Sequence, residues 1–184
     1  MIILLSVTVS IMFGVLLGVS YGWYAYSSAQ SLITAGTLTE VPTVVFSQTE
    51  YITSTQIMPI YDEDRYRYAN KNSFTVTLGE NLKDYETRLE IILSDINISE
   101  ELKIQNYKYE LLQNKQTVVT GDFSTLGDSN TIELLPMNLI TPLSYPTTYS
   151  YEFYIWLSED KTDQNYLMDK QFGAQIKVNS AVKK

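Results

Sequence analysis

Four short clusters in this 184-residue sequence carry residue types that do chemistry. Tyr61-Asp-Glu-Asp64 sets three carboxylates in a row, residue types that could bind calcium. It lacks the alternating oxygen positions and the turn glycine of a dedicated calcium loop, so a solvated acidic turn is the expectation, and Asp160 and Asp163 read the same way. Arg65-Tyr-Arg-Tyr68 alternates cations and rings, the composition of a nucleic-acid or glycan surface, but in an acidic protein one strand or loop with stacked side chains is the expectation. Asn97-Ile-Ser99 is an acceptor sequence for N-glycosylation, meaningful in a eukaryotic secretory or viral setting and otherwise a polar turn. No pair of acids is singled out for glycoside hydrolysis.

Composition removes several classes. The chain has no His and no Cys, which excludes Cys/His zinc sites, histidine bases, thiolate nucleophiles and a disulfide framework. The net charge of -8 opposes binding to a phosphate backbone, and no basic stripe offsets it, so no nucleic-acid partner is expected. No cofactor-binding pattern is present, and the expectation is a protein that is not an enzyme. With 45% hydrophobic and 18% charged residues the chain has the composition of a folded globular protein. Its 15 Tyr favour half-buried strand positions.

The N-terminus sets the compartment. No charged side chain precedes Glu40, and Ile2 to Tyr26 is almost wholly apolar or small. As a helix that stretch spans the ~30 Å of a bilayer core, whereas a signal-peptide core runs only about 7–15 residues. Trp23, Tyr24 and Tyr26 stand where a membrane-interface belt belongs. Ser6, Ser10, Gly14, Gly18 and Gly22 recur every fourth residue, the spacing that lets transmembrane helices pack closely, although Gly is common in such helices in any case. Ser27-Ser28-Ala29 is also an acceptable cleavage site after Ala29, so anchor and removable label both stand. The missing basic residue before the apolar run points to a start upstream of Met1 or to unusual insertion. The division expected is a transmembrane or signal helix over 1–29, an extended linker over 30–42, and one domain over 43–184.

Beyond Thr34 the hydrophobic period becomes two. Tyr149, Tyr151, Phe153, Ile155 and Leu157 take one face of a strand, while Ser150, Glu152, Tyr154 and Trp156 take the other. Gln171–Asn179 places Phe172, Ala174, Ile176 and Val178 inward. Further strands are expected at Thr43–Phe46, Ser73–Leu78, Thr87–Leu93, Tyr107–Leu112, Asp122–Leu126 and Thr131–Leu135. Ser99 should cap one helical turn with acids in it. Short, evenly spaced strands predict an all-β antiparallel sandwich of jelly-roll or Greek-key type behind the N-terminal hydrophobic helix.

Two stretches resemble the TasA/camelysin family of secreted bacterial matrix proteins. One is Tyr24-Ala-Tyr-Ser-Ser28 followed by Thr34-Ala-Gly-Thr-Leu38, similar to the end of that family's leader and its first strand. The other is Tyr154-Ile-Trp-Leu157 with an acidic loop, Asn165 and a last strand from Phe172 to Val178. The resemblance implies a jelly-roll fold and a role in extracellular fibres or matrix built by strand donation between subunits; it implies no protease activity.

The leading expectation is therefore a structural surface protein, single-pass with its C-terminal domain outside the cytoplasm or secreted. It would meet a lipid membrane and self-associate or join other structural subunits, with the segment Gln30–Thr43 pairing to a neighbour's sheet edge or serving as a bare tether. A minor virion protein with a jelly-roll domain is a second reading. A glycan- or peptide-binding module is a third, and it requires exposed aromatic residues clustered on one face.

Overall fold

The computed structural model describes residues 44–47, 51–54, 57–127 and 130–184. The apolar segment over 1–29, with Ser6, Ser10, Gly14, Gly18, Gly22, Trp23, Tyr24, Tyr26 and Ala29, and the linker over 30–42 lie outside them. Among the described residues no helix is long and apolar enough to cross a membrane.

Ten strands form two mostly antiparallel sheets: β1 (Val44–Phe46), β2 (Ile52–Ser54), β3 (Pro59–Ile60), β4 (Asn70–Leu78), β5 (Glu86–Ile98), β6 (Tyr107–Gln113), β7 (Gln116–Asp122), β8 (Ile132–Ile140), β9 (Thr147–Ser158) and β10 (Phe172–Lys183). One sheet runs β1-β4-β9-β6-β7, with β3 added parallel to the end of β9; the other runs β2-β10-β5-β8. One hydrophobic core joins their inner faces, with Phe74, Val76, Leu111, Tyr151 and Phe153 from the first sheet against Leu89, Ile91, Leu93, Ala174 and Ile176 from the second. Two sheets sharing one apolar core is the outcome that alternating patterns dictate.

The period-two reading locates most strands, and the departures have local causes. The strand expected at Asp122–Leu126 is displaced: β7 ends at Asp122, whose carboxylate accepts hydrogen bonds from the Ser124 backbone N–H and hydroxyl and turns the chain. Phe123 then drops fully buried into the core. The strand expected at Thr131–Leu135 continues to Ile140 through Pro136, which β8 tolerates because it is an edge strand. Asn97 is exposed within β5, opposite Gly173, rather than in a turn. Ser99 precedes one 3-10 turn, Glu100–Leu102, but does not cap it; its hydroxyl donates to the Gln171 carbonyl and accepts from the Gln171 N–H. β2, β3 and most of β7 carry too little alternation to be read.

The Asn114-Lys115 turn between β6 and β7 has both residues at positive φ, 51° and 67°, the geometry that a two-residue hairpin loop demands. Two glycines are set by close approach. At Gly173 a Cβ would sit 2.8 Å from the Tyr51 ring, and at Gly121 it would overlap the Tyr109 hydroxyl end. Gly121→Ala is therefore expected to destabilise the fold by about 1–3 kcal/mol through overpacking. The same change in a Tyr109→Leu background should cost clearly less, as urea unfolding of the four proteins would measure. Equal costs in both backgrounds would contradict the contact.

Candidate functional site

β9 departs furthest from the half-buried strand expected. Its inward residues from Tyr151 to Leu157 are buried, but Tyr154 and Trp156, on the opposite face, are buried as well. Together with Leu112 they form a second, smaller apolar cluster against Ile60 and Ala69. The cover is the chain between β3 and β4. After Ile60 pairs with Ser158, the chain leaves the sheet, makes a 3-10 turn (Asp62–Asp64) and one helical turn, α1 (Arg65–Tyr68), and re-enters at Asn70 opposite Ile155. This strap takes up the two motifs that the sequence singled out. Asp62-Glu-Asp64 is not wholly a solvated turn, and Arg65-Tyr-Arg-Tyr68 is a helical turn rather than a strand.

Covering the outer face buries a carboxylate. Glu110, on β6 opposite Tyr154, is only 1% exposed. Arg65 meets it with Nε at 2.6 Å from Oε2; Thr117 donates at 2.6 Å and Tyr66 at 3.1 Å to Oε1. Burial pushes the Glu110 carboxyl up, but the bonds from Arg65, Thr117 and Tyr66 outweigh it and hold the group below the usual carboxylate range. Arg65 also lies 4.4 Å from the Tyr66 ring centre, and Tyr66 packs edge-on against Tyr154.

A second tie lies beside the first. Trp156 Nε1 donates to Asp62 Oδ1 at 2.8 Å, and Lys108 Nζ reaches Asp62 Oδ2 at 2.7 Å. Partial burial again acts upward on Asp62, and the bonds from Lys108, Trp156 and Ser158 overrule it, taking the carboxyl down to about 2. Farther along, Lys71 pairs with Glu152 beneath Tyr154, and that carboxyl is also lowered, first by Lys71.

Two hollows flank the strap. A cavity of about 160 Å³ lies between it, β2 and β9; Tyr107 lines it with a buried hydroxyl that finds no geometric partner among the described residues. Burial drives that hydroxyl's pKa far up, partly offset by nearby Ser54. A more open cleft of about 390 Å³ lies between the strap and β6–β7. The strap also exposes Tyr61, Tyr66 and Tyr68, at 53%, 50% and 57%, whereas Tyr107, Tyr109, Tyr151 and Tyr154 are buried. Tyr51 and Tyr166 are exposed as well, away from the strap, so the described tyrosines divide between core and surface, with three of the exposed ones gathered on the strap.

The other acidic residues that the sequence marked are dispersed. Asp160 caps its own loop through Thr162 and accepts from Asn106, and Asp163 caps Asn165. Among the described residues no three acids converge on a point where a metal ion would sit. The sheet edge is a feature that sequence alone does not reveal. β2 pairs only with Phe172–Ala174, so the flank of β10 from Gln175 to Lys183 facing away from β5 has no strand partner among the described residues.

The Arg65–Glu110 tie predicts an asymmetry. Arg65→Met strands a buried carboxylate and should cost roughly 3–5 kcal/mol at neutral pH. Glu110→Gln should cost less, because Arg65 keeps 26% of its side chain in water. In the native protein the lowered carboxyls contribute stability that is present above the unfolded pKa of about 4 and lost as pH falls through their folded values. In Arg65→Met the unpaired Glu110 carboxyl is raised instead, so its penalty grows as pH rises. The gap between the two proteins in urea unfolding should narrow from about pH 7 to about pH 4; a gap that is constant or widens would contradict the pairing.

Compared with models of known protein families and with curated protein sequences, the chain matches none.

Proposed function

We propose that this chain is a non-enzymatic structural surface protein, membrane-anchored or secreted, that assembles with copies of itself by strand addition. The observation that supports this reading most directly is the bare flank of β10. Its backbone from Gln175 to Lys183 is held on one side by β5 and, among the described residues, offers unpaired N–H and C=O groups on the other. An extended segment laid there would continue the sheet, with main-chain hydrogen bonds supplying affinity.

The occupant proposed is Gln30–Thr43 of a neighbouring copy. This segment is rich in β-branched residues (Ile33, Thr34, Thr37, Thr39) and carries a single charge, Glu40, complementary to Lys183 and Lys184 at the end of β10. Head-to-tail donation of this kind builds filaments when the rotation between copies does not close a ring. The finer fold expectation, a jelly-roll or Greek-key sandwich behind an apolar N-terminal helix, and kinship with the TasA/camelysin proteins belong to the same proposal. Packing of N-terminal helices through Gly14, Gly18 and Gly22 would hold copies together while they are membrane-bound.

The test replaces Gln30–Thr43 in the full chain by a Gly/Ser segment of equal length. Light scattering and electron microscopy should show filaments for the native chain and none for the replaced one, with a synthetic 30–43 peptide slowing native assembly. Filaments that form equally well without the segment, and ignore the peptide, would overturn the reading.

A further inference from the structure

The cleft between the strap and β6–β7 is not used by assembly through β10. Its volume of about 390 Å³ falls within the range of about 300–1,000 Å³ that small-ligand sites occupy. Its lining mixes polar side chains with two aromatic rings, those of Tyr109 and of the buried Trp156, whose indole Asp62 fixes in orientation.

Both cations of the lining are paired, and among the described residues the Asp122 carboxylate is left without one. Asp62 is bound to Lys108, and Arg65 is bound to the buried Glu110, so both cations are committed. What remains is hydrogen-bonding capacity of mixed sign. Asp122 uses one carboxylate oxygen on Ser124, and its other oxygen and the side chains of Thr120 and Gln105 have no partner among the described residues. Such a lining offers no free cation to a phosphate, and its spare carboxylate is an acceptor for hydroxyl donors. Donors and acceptors beside an indole suit a ligand that alternates hydroxyls with C–H faces.

We infer that this cleft binds a neutral, hydroxyl-rich saccharide, held by Asp122, Thr120 and Gln105 against Trp156. Asp122 accepts from sugar hydroxyls, Thr120 donates or accepts, and the Gln105 amide does both. The exposed Tyr61 and Tyr66 rings of the strap extend the aromatic surface beyond the cleft for a longer chain.

The experiment uses the full chain in a Trp23→Phe background, so that Trp156 is the sole tryptophan reporter. Maltotriose, cellotriose, mannotriose and chitotriose are titrated with Trp156 fluorescence as readout. At least one should give a saturable change, weakened roughly tenfold or more in Asp122→Asn/Thr120→Val, as loss of hydrogen bonds to a charged acceptor requires. Melting temperature is measured alongside; if the double variant melts early, Thr120→Val alone, on an exposed strand position, must still weaken binding. No saturable change with any of the four sugars, or binding that the variants leave unaltered, would overturn the assignment. So would displacement of the sugar by inorganic phosphate or by an acidic peptide.

Discussion

A carboxylate cannot be taken out of water without a partner, and Glu110 is almost wholly out of water. Much of the first sheet follows from that constraint. The outer faces of β6 and β9 carry Leu112, Tyr154 and Trp156, which must be covered. The covering chain has to bring a cation to Glu110, and Arg65 is that cation. The path from β3 through the 3-10 turn and α1 into β4 does both in one short excursion, leaving β9 between β3 and β4 on one side and β6 on the other. The second tie, Asp62 to Trp156 and Lys108, fixes the strap's other end. The strap is thus a polar clamp over an apolar patch, and it forms a wall of both hollows beside it.

What is legible in the sequence is what alternation encodes. β4, β5, β6, β9 and β10 each present a period of two, and the pattern places them within a few residues. The second burial layer is not legible, because Tyr and Trp on an outward face look the same whether water or a strap covers them. Nor does Arg65-Tyr-Arg-Tyr68 announce that its first arginine meets a glutamate on β6 far along the chain. Local turn chemistry explains the displaced β7: Asp122 reads as a strand residue by pattern, but its side chain competes for the backbone and ends the strand. The bare flank of β10 is likewise a property of pairing, not of composition.

The two sheets differ at the ends that β1 and β2 cover, and the proposed function rests on this difference. In the first sheet β1 lies along the end of β4, with Ser47 extending the pairing to Thr75, and Asn70 ties the other end of β4 to the Thr53 carbonyl of β2. In the second, β2 protects β10 only as far as Ala174. A long strand with no partner on one flank among the described residues offers a place for another segment, and soluble proteins usually blunt such edges. Lys177, held by Asp95, and Lys183 discourage indiscriminate pairing along β10 while leaving its backbone accessible to a segment of complementary charge. The strap and its cleft belong to the other sheet, so the proposed assembly and the proposed ligand binding would use separate surfaces.

The central claim is that β10 receives a strand from a neighbour. Hydrogen exchange of its backbone amides, compared between dispersed and assembled protein, tests it most directly. Pairing with β5 already protects alternate amides of β10 in a single copy. The account predicts that the intervening amides between Gln175 and Lys183 exchange freely in the dispersed protein and become protected on assembly. Exchange at those amides that is the same in both states would contradict it.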